Sequence, residues 1–213
     1  MKTIWIIAAD KKEIPGIDLI LNKNSAKYNL KFYTCGIGLF ESFYVFTTLL
    51  NQTSQVHQPD GILLAGTSGS PNAEDIFKLN LTNRFLNPQF NVEELPEFLP
   101  VEWITKDIDD FTGDIGNHPY NRLNLTIDFL NTPVYSTFGI SKTVHHLTPA
   151  MSGAWENMEA LSLSYICMKR QIPFIALLCC TNQICPDGRK QWKQNYIKAG
   201  EILFKALNNL FKI

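Results

Sequence analysis

Two acids, an amide and two runs of small residues mark where this chain of 213 residues could do chemistry. Glu13 lies four residues past the apolar run "TIWIIAA" (3–9), close to Asp10. An acid just past a strand end in an α/β sheet faces the crevice where ligands usually bind. A solvated carboxylate early in a helix, favoured by the helix dipole, is the plainer alternative. Glu159 closes "WENME" (155–159), where a strand pattern passes into a helical one, three residues after Glu156. A carboxylate there can accept both hydroxyls of a sugar diol, or simply occupy a first helical turn. Thr67, Ser68 and Gly69 lie in "AGTSGS" (65–70), read as a small-residue turn at a strand end. Such a turn can cradle an anion or a sugar with its N–H groups and hydroxyls, or be only a turn. Asn182 ends the apolar run "PFIALLCC" (173–180) after Thr181, ahead of Pro186, Asp187 and Gly188. Asn is common in strand-ending turns. The same place is also the ligand edge of an α/β sheet.

Two further stretches carry weaker signals. "CGIGLFES" (35–42) is a glycine turn, but Glu41 stands where a dinucleotide fingerprint needs its third glycine. A dinucleotide-binding or regulatory domain is the reading it would support. His145 and His146 follow a strand pattern, as a binding edge or as ordinary surface histidines.

The elements that must hold these residues alternate. Apolar runs at 3–9, 60–66 and 173–180 predict buried strands, and "LKFYTCG" (30–36) predicts another strand. "LFESFYVFTTLLNQ" (39–52) predicts a helix, and "EIPGIDLILNK" a weaker one. "GAWENMEALSLSYICMKRQ" (153–171) predicts a short strand running into a helix. Trp192, Tyr196, Ala199, Leu203, Ala206 and Leu210 form one apolar stripe on a final helix at about 189–211. Residues 82–122 are irregular, proline-rich and acidic, with room for short edge strands; 123–130 reads as helical and 134–141 as a strand. Strands alternating with helices argue for an α/β sheet with right-handed crossovers. No repeat or linker divides the chain, so residues 1–213 are expected to form one domain.

Composition narrows the partners. Net charge is −1, which favours neither nucleic acid nor an anionic membrane surface. No run approaches the ~18 apolar residues of a membrane span. The N-terminal apolar run is too short for a signal-peptide core. Five cysteines, odd in number and without a Cys-x-x-Cys pair, suggest reduced thiols and a cytoplasmic setting. No ligand spacing suggests zinc. Only four arginines are present, at 84, 122, 170 and 189.

Together these pieces resemble the nucleoside phosphorylase/nucleosidase superfamily along nearly the whole chain. "MKTIWIIAADKKEI" looks like the opening strand and catalytic-Glu loop of methylthioadenosine/S-adenosylhomocysteine nucleosidases. "CGIGLFES" and "LLAGTSGS" look like the two glycine turns, and "ENMEALSLSYICMKRQIPF" like the ribose-binding Met-Glu segment. "TNQICPDGRKQW" is most similar to futalosine hydrolases. The resemblance implies a three-layer α/β/α fold around a mixed, mostly parallel, twisted sheet. It implies a hydrolase that frees hypoxanthine from a 6-oxopurine nucleoside, futalosine-like, and so menaquinone biosynthesis. Purine nucleoside phosphorylase, methylthioadenosine/S-adenosylhomocysteine nucleosidase and a non-catalytic nucleoside-binding paralogue are the alternatives. No cofactor or metal is implied, and a homodimer or larger assembly is.

Residue by residue, the resemblance makes Glu13 the base that activates water and Glu159 the ribose ligand, with Met158 on the sugar face. Thr67, Ser68 and Gly69 approach sugar and base, and Thr143, Val144 and His145 flank the base. Asn182 handles the purine five-membered ring. An Asp there can deliver a proton to N7, whereas an Asn can only donate its amide hydrogens, which suits an oxygen at C6. The chain departs from the pattern at Leu178, where many nucleosidases carry an Arg that holds the nucleophilic water, and at Ala160, where a Gly is expected. Arg189 is a candidate replacement for the missing cation. No position clearly matches a phosphate-binding Arg, which favours water as the nucleophile.

Overall fold

Strand β3 (Gly61–Ser70) and strand β10 (Phe174–Gln183) are each ten residues long and almost wholly buried, and they pair in parallel at the centre of the sheet. A computed structural model describes residues 1–22, 27–53, 58–87, 102–106, 129–143 and 152–211. β1 (Lys2–Ala8) pairs in parallel with both β2 (Tyr28–Thr34) and β3. Shorter strands complete the sheet: β4 (Leu79–Thr82), β5 (Arg84–Leu86), β6 (Glu102–Ile104), β7 (Phe129–Leu130), β8 (Val134–Tyr135) and β9 (Trp155–Glu156). Their order is β6-β5-β8-β9-β3-β10-β4-β7, with β1 and β2 branching from β3. Among the described residues six strand pairings are parallel and three antiparallel.

Side-chain alternation explains the layers. Ile4, Ile6, Leu63, Ala65, Ile175 and Leu177 point to one face, where α1 (Ile17–Leu21) and α4 (Gly188–Leu210) cover them. Trp5, Ile7, Ile62, Leu64, Ala176 and Leu178 point to the other, under α2 (Leu39–Gln52) and α3 (Ala160–Arg170). Burial on both faces is why these strands read as unbroken apolar runs. Each fully buried aliphatic side chain contributes about 1.5–3 kcal/mol. Cys179 and Cys180 face opposite layers, because neighbours on a strand do, and burial pushes both thiols up to about 12. All five cysteines are free.

Several expectations change. "AGTSGS" is not a turn but the second half of β3, extended by its pairing with β10. Phe129 and Leu130, read as the end of a helix, form β7 against β4; residues 123–128 lie outside the described set. The strand expected over 134–141 keeps only Val134 and Tyr135. Edge pairing does appear in the irregular segment, as β5 with β6. On α4, Ala199, Leu203, Ala206 and Leu210 pack on the sheet, but Trp192 and Tyr196 are only half-buried. Among the described residues no helix is long and apolar enough to cross a membrane.

Candidate active site

β3 uses one of its edges twice. Its first part pairs with β1 as far as Ile7 opposite Leu64, and its end meets β9 at Gly69 opposite Glu156. Thr67 falls between them, so its N–H and C=O find no strand partner on that edge. Buried backbone groups must be satisfied. Two side chains do this. Glu13 Oε1 accepts from Thr67 N at 3.3 Å and from Thr67 Oγ1 at 2.9 Å. Asn157 Nδ2 donates to Thr67 O at 3.0 Å. The gap in the strand pairing thus draws in the side chains of Glu13 and Asn157.

Local structure aims each one. Asp10 caps the 3-10 turn Lys11–Glu13 by accepting from Lys12 N at 2.9 Å. That turn folds Glu13 back over the end of β1, where Oε2 accepts from Ala9 N at 3.1 Å. The residue is half-buried, but its carboxyl is turned inward. Asn157 Oδ1 accepts from Glu159 N at 2.9 Å and Ala160 N at 2.7 Å, satisfying the start of α3. Glu159 Oε1 accepts from Gly38 N at 2.8 Å. Gly38 has φ 88° and ψ 168°, a region open essentially to glycine alone. The glycine turn therefore presents an N–H to Glu159.

Asn182 depends on an irregularity. Pairing of β10 with β3 slips between Cys180 and Asn182, leaving Thr181 as an extra residue. Strict alternation would send residue 182 to the same face as Leu178 and Cys180. The bulge reverses this. Asn182 turns toward Gly69 and the start of α4, where a Cβ on Gly69 would come within 2.9 Å of its Nδ2. Its Oδ1 accepts from Thr181 Oγ1 at 3.0 Å, and its Nδ2 donates to Gln183 O at 3.2 Å. One amide hydrogen remains for a ligand.

A cavity of about 900 Å³ opens over these groups, within the usual range for small-molecule sites. Glu13, Glu159 and Asn182 all line it, as do Thr67, Ser68, Gly69, Met158 and Arg189. Ser68 Oγ is buried with no hydrogen-bond partner among the described residues. Thr143 is exposed and does not line the cavity. Val144 and His145 lie outside the described residues, as does His146. Leu178 belongs to the apolar layer under α2 and α3, so β10 brings no cation to Glu13.

Sequence reasoning missed several lining residues. Glu156 accepts from Ser141 N at 2.9 Å and from the Tyr135 hydroxyl at 3.3 Å. Lys12, Lys142 and Lys193 join Arg189 in the cavity wall. Trp192 and Tyr196 stack at 5.2 Å and line it too. Their four-residue spacing was the available signal, read as core packing. Among the described residues no cluster of three or more His, Cys, Asp or Glu is placed to hold a metal ion.

Electrostatics couple the two acids. Burial raises the Glu159 carboxyl to about 8, helped by the negative charge of Glu13 and opposed by the Gly38 N–H. Burial also raises Glu13, against the pull of its hydrogen bonds from Thr67 and Ala9. A carboxyl lifted toward neutrality is suited to taking a proton from water.

Neither a family model nor a curated protein matches the chain. Solved structures do. A futalosine hydrolase mutant of Helicobacter pylori superposes with a TM-score of 0.78 at 15% identity, covering 100% of this chain and 99% of that one. A 5′-methylthioadenosine/S-adenosylhomocysteine nucleosidase of S. pneumoniae, solved with a transition-state inhibitor, gives 0.79 at 12% identity, covering 99% and 98%. One from Colwellia psychrerythraea, solved with adenine, gives 0.71 at 14% identity, covering 98% and 96%. The chain has the fold of these nucleosidases. The match runs end to end, so the mixed sheet and its flanking layers are shared as a whole. Identities this low speak to fold alone.

Proposed function

We propose that this chain is a nucleosidase that hydrolyses the N-glycosidic bond of a 6-oxopurine nucleoside, futalosine-like, releasing hypoxanthine. One observation carries this reading: Glu13, Glu159 and the Asn182 amide converge on a single cavity in a chain with the nucleosidase fold. Breaking the bond leaves an oxocarbenium-like sugar and pushes negative charge onto the base. Glu13 takes the proton from the attacking water. Glu159 accepts the ribose hydroxyls, with Met158 against the sugar. Ser68 Oγ, without a partner among the described residues, is available to the ligand.

Asn182 stabilises the departing base with its free amide hydrogen, directed at N7. Serving an O6 acceptor as well requires releasing the Gln183 carbonyl. Thr181 Oγ1 lies 3.0 Å from the amide oxygen and 3.1 Å from Ser68 O, with one proton to share between them. Lys12, Lys142, Arg189 and Lys193 suit a 5′ substituent that carries negative charge. The same cations support a second reading, phosphorolysis. The exposed side chains Ile37, Phe40, Tyr44 and Phe138 form apolar surface compatible with self-association.

Base release from futalosine, inosine and methylthioadenosine, with and without phosphate, tests the proposal. Futalosine turnover independent of phosphate is expected. Release only with phosphate makes the protein a phosphorylase, and preference for methylthioadenosine removes the oxopurine assignment. Binding without release marks a non-catalytic paralogue. Glu13→Gln should lower turnover by about 10²–10⁴ while sparing binding.

A further inference from the structure

The hydrogen bonds on Glu13 continue beyond Thr67 into α4. Trp192 Nε1 donates to Thr67 Oγ1 at 3.2 Å, and Thr67 Oγ1 donates to Glu13 Oε1 at 2.9 Å. Donor inventory gives this chain a direction. An indole N–H can only donate, while a hydroxyl has one proton and two lone pairs. With Trp192 donating into the oxygen, the Thr67 proton is left for Glu13. Without the indole, that hydroxyl is free to rotate and present a lone pair instead.

Glu13 needs such control because among the described residues no cation pairs with its carboxyl, while Glu159 sets a like charge near it. Its carboxyl accepts from the N–H groups of Ala9 and Thr67 and from the Thr67 hydroxyl, and the Asp10 N–H adds a weaker pull. β10 carries no cation, and its Leu178 belongs to the apolar layer. Trp192 is itself held in place, half-buried on the first turns of α4 and stacked on Tyr196 with an interplanar angle of 19°. We infer that Trp192 is a positioning residue for the general base, acting through Thr67. It locks the Thr67 hydroxyl as a donor to Oε1, so that Oε2, held by the Ala9 N–H, faces the water to be activated.

This inference rests on the proposed role of Glu13, and its test is built to separate the two. Trp192→Phe keeps an aromatic ring against Tyr196 and removes the N–H. Titration of the Glu13 carboxyl in ligand-free protein, by carbon-13 NMR of labelled glutamate assigned with Glu13→Gln, should move to higher pH. Thr67→Ser should keep the wild-type titration, and Thr67→Val should move it up. Trp192→Phe in the Thr67→Val background should add no further shift, because both act on one chain. In turnover assays Trp192→Phe should lower kcat about tenfold and shift the acid limb of the pH profile with the carboxyl. KM should change less than kcat. An unmoved Glu13 titration in Trp192→Phe overturns the inference whatever the activity does, and so do additive shifts in the double variant. If the titration moves but no nucleoside is cleaved by the wild type, the positioning chain stands and the proposed reaction falls.

Discussion

Replacing Glu159 by Gln should stabilise the ligand-free protein, and more so as pH rises. The carboxyl is buried, accepts from Gly38 N at 2.8 Å and sits at about 8 against an ordinary 4.5. Between those values the folded state holds a proton that the unfolded chain has released. Stability from this group is therefore complete below the ordinary value and is lost as pH rises toward the folded one. Going from about pH 5 to about pH 9, the wild type should lose at most about 4 kcal/mol relative to Glu159→Gln. Relaxation and water in the cavity reduce this to about 2 kcal/mol. For a chain of this size that is a widening of the Tm gap by about 4–8 °C. Gln keeps an oxygen for the Gly38 N–H, so the turn is preserved. Part of the gain passes through Glu13, which loses a like-charged neighbour. Scanning calorimetry of both proteins at the two pH values measures the gap. A gap that stays flat, or that narrows on going alkaline, refutes a strained Glu159.

Gly69→Ala places a Cβ within 2.9 Å of Asn182 Nδ2, so the amide must move. Base release should fall about 10–100-fold, with about 1–3 kcal/mol lost in denaturant unfolding; full activity would show that the position of Asn182 is not critical. Asn182→Asp should raise kcat/KM for methylthioadenosine relative to inosine by about tenfold or more, since Asp can accept from a 6-amino group. An unchanged ratio in parallel assays removes residue 182 from base selection.

Much of this protein was written in local pattern. The apolar runs of β1, β3 and β10 specified strands buried on both faces, because neither face had to meet water. Helix α2 follows its predicted bounds, and Glu13 and Glu159 sit where strand ends pass into helical turns. What the tertiary structure alone decided is how those ends meet. A gap on the edge of β3 left Thr67 without strand partners, and two side chains distant in sequence closed it. A bulge at Thr181 sent Asn182 to the opposite face from the one alternation predicts. Trp192 and Tyr196 satisfied a core stripe on paper, yet they belong to the part of α4 that overhangs the cavity. Periodicity records which face a residue takes within its own element; whether that face meets core, cavity or an open strand edge depends on where the other elements end.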